Sequence, residues 1–178
     1  MDDHLQQDQL RLGFLTVIEV PDKGYVGGLL VTNHCGRPLE FQCTVPVRPN
    51  PTQEILYGPT LAPFILGELI GGTLVEKAGV KPQLILTDRE QILELRNHVE
   101  HPVALIESRQ ESADTATSDP PRSLRLGRQI VRFHSAHDDD LQTVSRGANH
   151  IPADADLQEP FDRVREALQE TLRSGALR

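Results

Sequence analysis

The densest group of potential metal ligands in the sequence is His134-Ser135-Ala136-His137-Asp138-Asp139-Asp140. Neutral imidazole and carboxylate oxygens suit zinc, manganese or iron, which makes His134, His137 and Asp138 candidate ligands. Residues three apart on a strand point to opposite faces, so the two histidines chelate only where the chain bends; otherwise the segment is a solvated acidic loop. His98-Val99-Glu100-His101 closes a predicted helix, where an imidazole near the C-terminus is favoured by the helix dipole. Among the lone carboxylates, Glu68 stands between apolar neighbours. An isolated buried carboxylate is costly, so Glu68 must reach solvent, a partner or a metal. Glu19 ends a predicted strand beside a turn, Glu54 sits where a helix N-terminus favours negative charge, and Asp88 precedes a helix in capping position. Cys35 follows His34, but a nucleophile and its base must meet within hydrogen-bond reach, usually from separate segments. No phosphate-binding glycine loop of either standard spacing is present.

The elements that would position these residues are legible from hydropathy and turn chemistry. Residues 12–20, 25–32 and 39–47 read as three strands, the last with Leu39, Phe41, Cys43 and Val45 alternating onto one face. Pro21-Asp22-Lys23-Gly24 and Asn33-His34-Cys35-Gly36 supply the turns, so the three form an antiparallel meander. The Gly27-Gly28 pair in the second strand predicts a bulge or a close backbone approach. A helix is expected within residues 52–78, firmest from Pro63 onward, and apolar nearly all round, as in a helix buried against a sheet. Residues 83–87 read as a central strand. Asp88 with Gln91 reads as a capping box opening a helix that ends near His98. Residues 102–106 and 124–134 read as further strands, and residues 138–150 show little pattern. The amphipathic stretch 156–172 carries Phe161, Val164, Leu168 and Leu172 on one face, with Asp156 and Glu159 as a capping pair. Residues 109–123 are polar, contain Pro120-Pro121 and no apolar side chain larger than Ala, and read as a flexible linker. The expected organisation is a mixed α/β core over residues 1–108, that linker, and a segment 124–178 of a strand and an amphipathic helix packing on the core or a partner.

Composition narrows the function. The 178 residues carry a net charge of −8, with 26 acidic against 18 basic side chains, and no Lys/Arg-rich run. Affinity for nucleic acid comes mostly from Lys and Arg at phosphates, so general electrostatic attraction to a strand is disfavoured. Aromatic residues are 4% with no Trp, which argues against a base-stacking platform. The two cysteines, Cys35 and Cys43, fit reduced thiols, though a hairpin could also bring them together as a bridge. The N-terminus lacks an apolar signal core, and the apolar-rich stretch 61–75 is interrupted by Glu68 and glycines. A cytoplasmic protein without a membrane span is expected.

The element order β-β-β-α-β-α-β resembles the ribonuclease H-like fold, over residues 12–108 and more loosely to 146. Gly24-Tyr25-Val26-Gly27-Gly28-Leu29-Leu30 looks like that superfamily's glycine-rich entry to strand two. Leu84-Ile85-Leu86-Thr87-Asp88 looks like its apolar strand ending in an acid, and residues 133–140 look like its histidine-containing segment before the last helix. The resemblance implies acids on strand one, the first helix and the end of strand four that bind two divalent metals for phosphodiester cleavage. Carried over, these are Glu19, Glu54 or Glu68, and Asp88, with Mg²⁺ or Mn²⁺ as cofactor and nucleic acid as partner. The family carries its strand-one acid in the middle of the strand, where this sequence offers Glu19 near the end. A profilin- or longin-like sheet is the other fold that begins with antiparallel strands. The first functional expectation is a non-catalytic binding or scaffold protein with a protein partner and no cofactor. The alternative is a divalent-metal-dependent nuclease of ribonuclease H-like type.

Overall fold

The computed structural model describes residues 10–107 and 122–176. Strands β1 (Arg11–Val20), β2 (Gly24–Asn33) and β3 (Pro38–Cys43) form the predicted meander, antiparallel throughout. Asp22 and Gly24 both take positive φ in the first turn, 65° and 101°, a conformation open to glycine and tolerated by Asp. Helix α1 (Pro51–Tyr57) is capped reciprocally by Asn50 and Gln53. It leads to the π-helical α2 (Pro63–Gly71), which runs on as α3 (Gly72–Lys77). Strand β4 (Leu84–Thr87), a 3-10 helix (Glu90–Asn97) and β5 (Val103–Glu107) follow. After these come β6 (Ser123–Leu126), β7 (Gln129–Phe133), α4 (Asp139–Gly147) and α5 (Glu159–Arg173).

The described strands make one mixed sheet in the order β3-β2-β1-β4-β5-β7-β6. β4 lies parallel to β1 and β5 parallel to β4, whereas β7 returns antiparallel to β5. A meander extended by parallel strands with helical connections is the predicted mixed α/β architecture, and the fold is ribonuclease H-like. The parallel placement of β4 and β5 favours it over the profilin- or longin-like reading.

Side-chain alternation sends the sheet's residues into two cores. On one face Leu15, Val17, Leu29, Val31 and Ile85 meet Ile65, Leu66, Ile70 and Leu74 of α2 and α3, with Ile92 and Leu95 of the 3-10 helix. On the other, Leu12, Phe14, Leu84, Leu86, Val131 and Phe133 meet Phe161, Val164 and Leu168 of α5. The Phe14 and Phe161 rings pack edge to face at 5.5 Å. The expected close approach at Gly27-Gly28 is real on both faces. A Cβ on Gly27 would stand 2.1 Å from Ile70 Cγ2, and one on Gly28 would stand 2.7 Å from Val164 Cγ1. No single helix among the described residues is long and apolar enough to cross a membrane.

Several local expectations are corrected. β3 spans Pro38–Cys43 and so stops short of the expected residue 47, and near its start a bulge between Val31 and Thr32 pairs Thr32 with Pro38 and Val31 with Glu40, leaving Leu39 unopposed. The alternation therefore breaks, and Leu39 and Val45 are exposed while Phe41 and Cys43 pack on the core. The strand expected over 124–134 is a hairpin turning at Gly127, whose φ is 56°. Residues 138–150 contain α4. Helix α5 starts at Glu159, later than expected, and Asp156 does not cap it; its Oδ1 accepts from Gln129 Nε2 and Gln158 N instead. Cys35 and Cys43 are both free thiols, and burial raises the pKa of Cys43. The predicted linker, residues 109–123, falls almost wholly outside the described residues.

Gly27→Val forces a side chain into Ile70, so it should destabilise by about 1–3 kcal/mol, the usual range for overpacking, measured as a drop in urea midpoint. Glu40 on β3 clamps the loop after α3: its carboxylate accepts from Gly79 N at 3.0 Å and Val80 N at 2.7 Å, and from Gln42 Nε2. The bond from Val80 N, then those from Gln42 and Gly79, hold its pKa below the usual carboxylate range. A depressed folded pKa contributes stability above the unfolded value and loses it as pH falls through the folded one. Glu40→Gln should therefore lower unfolding stability at pH 7 and approach wild type in acid, compared by denaturant titration at both pH values.

Candidate active site at the end of β4

β1 and β4 run parallel with Leu15 opposite Thr87, so Thr16 comes level with the residue after β4, Asp88. Both fall on the face covered by α5. Thr16 is buried and donates its hydroxyl to Asp88 Oδ1 at 2.7 Å. The Asp88 side chain is only 10% exposed and pairs through Oδ2 with the guanidinium of Arg165 on α5. Arg165 also reaches Asp162 Oδ1 at 3.0 Å, one helical turn back. A charge this far from water must be paired, and the pairing here joins three segments remote in sequence: the middle of β1, the end of β4 and the last helix. Asp88 is consequently not the cap of the helix that follows. The 3-10 helix is entered through Arg89 with no side-chain cap at all.

The other candidate carboxylates lie in different surroundings. Glu19 is exposed near the end of β1, on the face opposite Thr16 by alternation. Glu54 is exposed in the first turn of α1. Glu68 is half exposed on α2, 3.7 Å from His98 Nε2, which also lies 3.4 Å from Glu94. Glu68 and His98 line an open groove of about 630 Å³ with Phe64, Lys81 and His101. Glu68 thus reaches solvent and a partner rather than Asp88.

The histidine segment forms a separate cluster. The His134 and His137 rings lie 5.4 Å apart, edge to face. Asn97 stands between them, its Oδ1 2.9 Å from His137 Nε2 and its Nδ2 3.5 Å from His134 Nε2. His134 Nδ1 accepts from Ala136 N. Burial, with help from His137, lowers the pKa of His134. Asp138 turns instead to Arg122 at 3.3 Å. Asp140 is buried and grips Arg96 in a two-point bond, Nε to Oδ2 at 2.7 Å and Nη2 to Oδ1 at 3.1 Å. That bond ties α4 to the 3-10 helix.

Among the described residues, no group of three or more His, Cys, Asp or Glu side chains could hold an ion. At Asp88 the strand-one partner is a hydroxyl rather than an acid, and the charge is already neutralised by Arg165. The residues present do not fit the two-cation centre that the resemblance implies.

Thr16 and Arg165 are the members of this site that sequence reading missed. Thr16 shares a face with Phe14 and Ile18 by simple alternation, but its meeting with Asp88 depends on the β1–β4 register. Arg165 carried a usable signal: it lies four residues after Phe161 and three before Leu168, on the flank of the buried stripe of α5.

No protein-family model matches the chain, and no curated protein matches it by sequence. Solved structures do resemble it in fold. Human endonuclease V is 15% identical with a TM-score of 0.47, over 92% of this chain and 86% of that one. Ciona intestinalis endonuclease V, in complex with a 23mer DNA containing an inosine followed by a ribo-adenosine, is 12% identical with a TM-score of 0.47, over 90% and 86%. Marinitoga piezophila Argonaute, in complex with a guide RNA, is 14% identical with a TM-score of 0.33, over 71% of this chain and 23% of that one. At these identities the likeness is one of fold. No family is shown by it. The first functional expectation, a non-catalytic binding or scaffold protein, is corrected: the solved structures that resemble the chain in fold are of endonuclease V and Argonaute.

The Arg96–Asp140 bond gives a check on the histidine cluster. Removing one partner of a buried ion pair strands the other, at about 3 kcal/mol or more. Arg96→Met should lower stability by that order in urea unfolding, while Asp138→Asn, at an exposed pair, should change it by less than about 1 kcal/mol.

Proposed function

We propose that this chain acts on nucleic acid, as a ribonuclease H-like protein of the nuclease type, with the Asp88–Arg165 end of the sheet as its working surface. The observation that carries the reading is the place of Asp88. It is an acid at the end of a central parallel strand, set beside the middle of β1 and under the last helix. With a net charge of −8, a strand is held by local cations rather than by a general field. Arg165 is the cation at this place. Its planar fork suits a phosphate as well as a carboxylate, so an arriving phosphate competes with Asp88 for the same donors.

That competition separates the roles of the two residues. Labelled single-stranded and duplex DNA and RNA are incubated with the full chain, with chelator and with Mg²⁺ or Mn²⁺ in parallel. Binding is read by fluorescence anisotropy and products by gel. Arg165→Ala is expected to weaken binding, and Asp88→Asn to tighten it by freeing Arg165 while abolishing product formation. Oligonucleotides that are neither bound nor cut under any of these conditions would overturn the reading. So would products that persist unchanged in Asp88→Asn.

A further inference from the structure

Asp88 needs a positive charge beside it, and the chain supplies one from its own last helix. The Arg165 guanidinium holds Asp88 through one terminal nitrogen and Asp162 Oδ1 through the other, the latter at 3.0 Å. Asp88 is 10% exposed and Asp162 65% exposed, so one flat cation spans the way from the interior to solvent. Thr16 Oγ1 fills the remaining side of Asp88 at 2.7 Å. Two carboxylates on one cation, one of them also holding a hydroxyl, are oxygen donors of the kind that hold a hard divalent ion, yet the charge between the carboxylates is organic and covalently attached.

We propose that Arg165 is the resident cation of this site, neutralising Asp88 and Asp162 in place of a divalent ion and excluding one. Asp162 and Arg165 are three residues apart on α5, so the helix itself sets their pairing. Phe161, Val164 and Leu168 are buried around them and fix the helix over the sheet. A guanidinium does not lose its proton in a protein. Unlike a bound ion, it is removed neither by dilution nor by a chelator. The inference stands on these four side chains and not on the nucleic-acid reading, so either can fail alone.

The test is direct Mn²⁺ binding to the full chain, followed by the electron paramagnetic resonance signal of the free ion. Wild type, Arg165→Met, Arg165→Gln and the double variant Asp88→Asn/Arg165→Met are compared, with circular dichroism to show that each is folded. Both single variants are expected to gain a site at least about tenfold tighter than anything in wild type, a difference of about 1.4 kcal/mol, and the double variant to lose it. Arg165→Gln keeps a hydrogen-bond donor toward Asp88 and serves where the Met variant does not fold. Wild type alone adds a further measurement: its melting temperature should be the same in Mn²⁺ and in chelator. The proposal is overturned if neither folded variant gains a site, or if the gain survives in the double variant. A wild-type rise in melting temperature with Mn²⁺ that disappears in Asp88→Asn overturns it too.

Discussion

The structure turns on how closely two helices can approach one strand. Gly27 and Gly28 are adjacent on β2, so their missing side chains point to opposite faces of the sheet. Ile70 of α2 occupies the space of the first, and Val164 of α5 the space of the second. Each glycine loosens a strand interior slightly, and the dense packing of Phe14, Leu15, Leu29, Ile70 and Phe161 offsets that loss. Because α5 is drawn down onto the sheet at Gly28, the residue after Val164 is brought near the end of β4. The reach of Arg165 to Asp88 is therefore a consequence of backbone packing two strands away.

The electrostatics of the site follow from that placement. A carboxylate with so little water around it demands compensation, and there are few ways to provide it: protonation, a metal, or a basic side chain. This chain uses the last, with a threonine hydroxyl completing the shell. Folds of one kind host different chemistry because such local choices differ. Here the framework of strands and helices is ribonuclease H-like, while the middle of β1 carries a hydroxyl at the position facing the acid.

The fold is largely legible from sequence, since apolar, β-branched runs and turn residues mark β1, β2 and β4, and the Phe161–Leu168 stripe marks α5. The misses have physical causes. The bulge at Leu39 shifts a strand's faces without leaving any trace in its hydropathy. Gly127 stands between two short stretches of mixed apolar and polar residues, so a hairpin reads as one strand. Helix α4 buries only Asp140 and Val144, and its anchor is an ion pair to Arg96, which no periodicity reveals. The site was half legible. Asp88 stood out by its position after an apolar strand, but its partners come from 72 residues earlier and from α5, joined by register and packing alone.

The irregularity of β3 has an effect beyond the position of Leu39. β3 is an outer strand of the sheet, and an outer strand presents unpaired backbone groups to any extended segment that passes. Pro38 at its start has no amide hydrogen to offer, the bulge kinks the row of donors and acceptors, and the Glu40 carboxylate is committed to Gly79 and Val80. The strand then stops at Cys43, with Pro46 soon after. A second chain looking for a straight ladder to extend meets a short, bent and charged border, so this margin of the sheet is guarded against growth into a fibre.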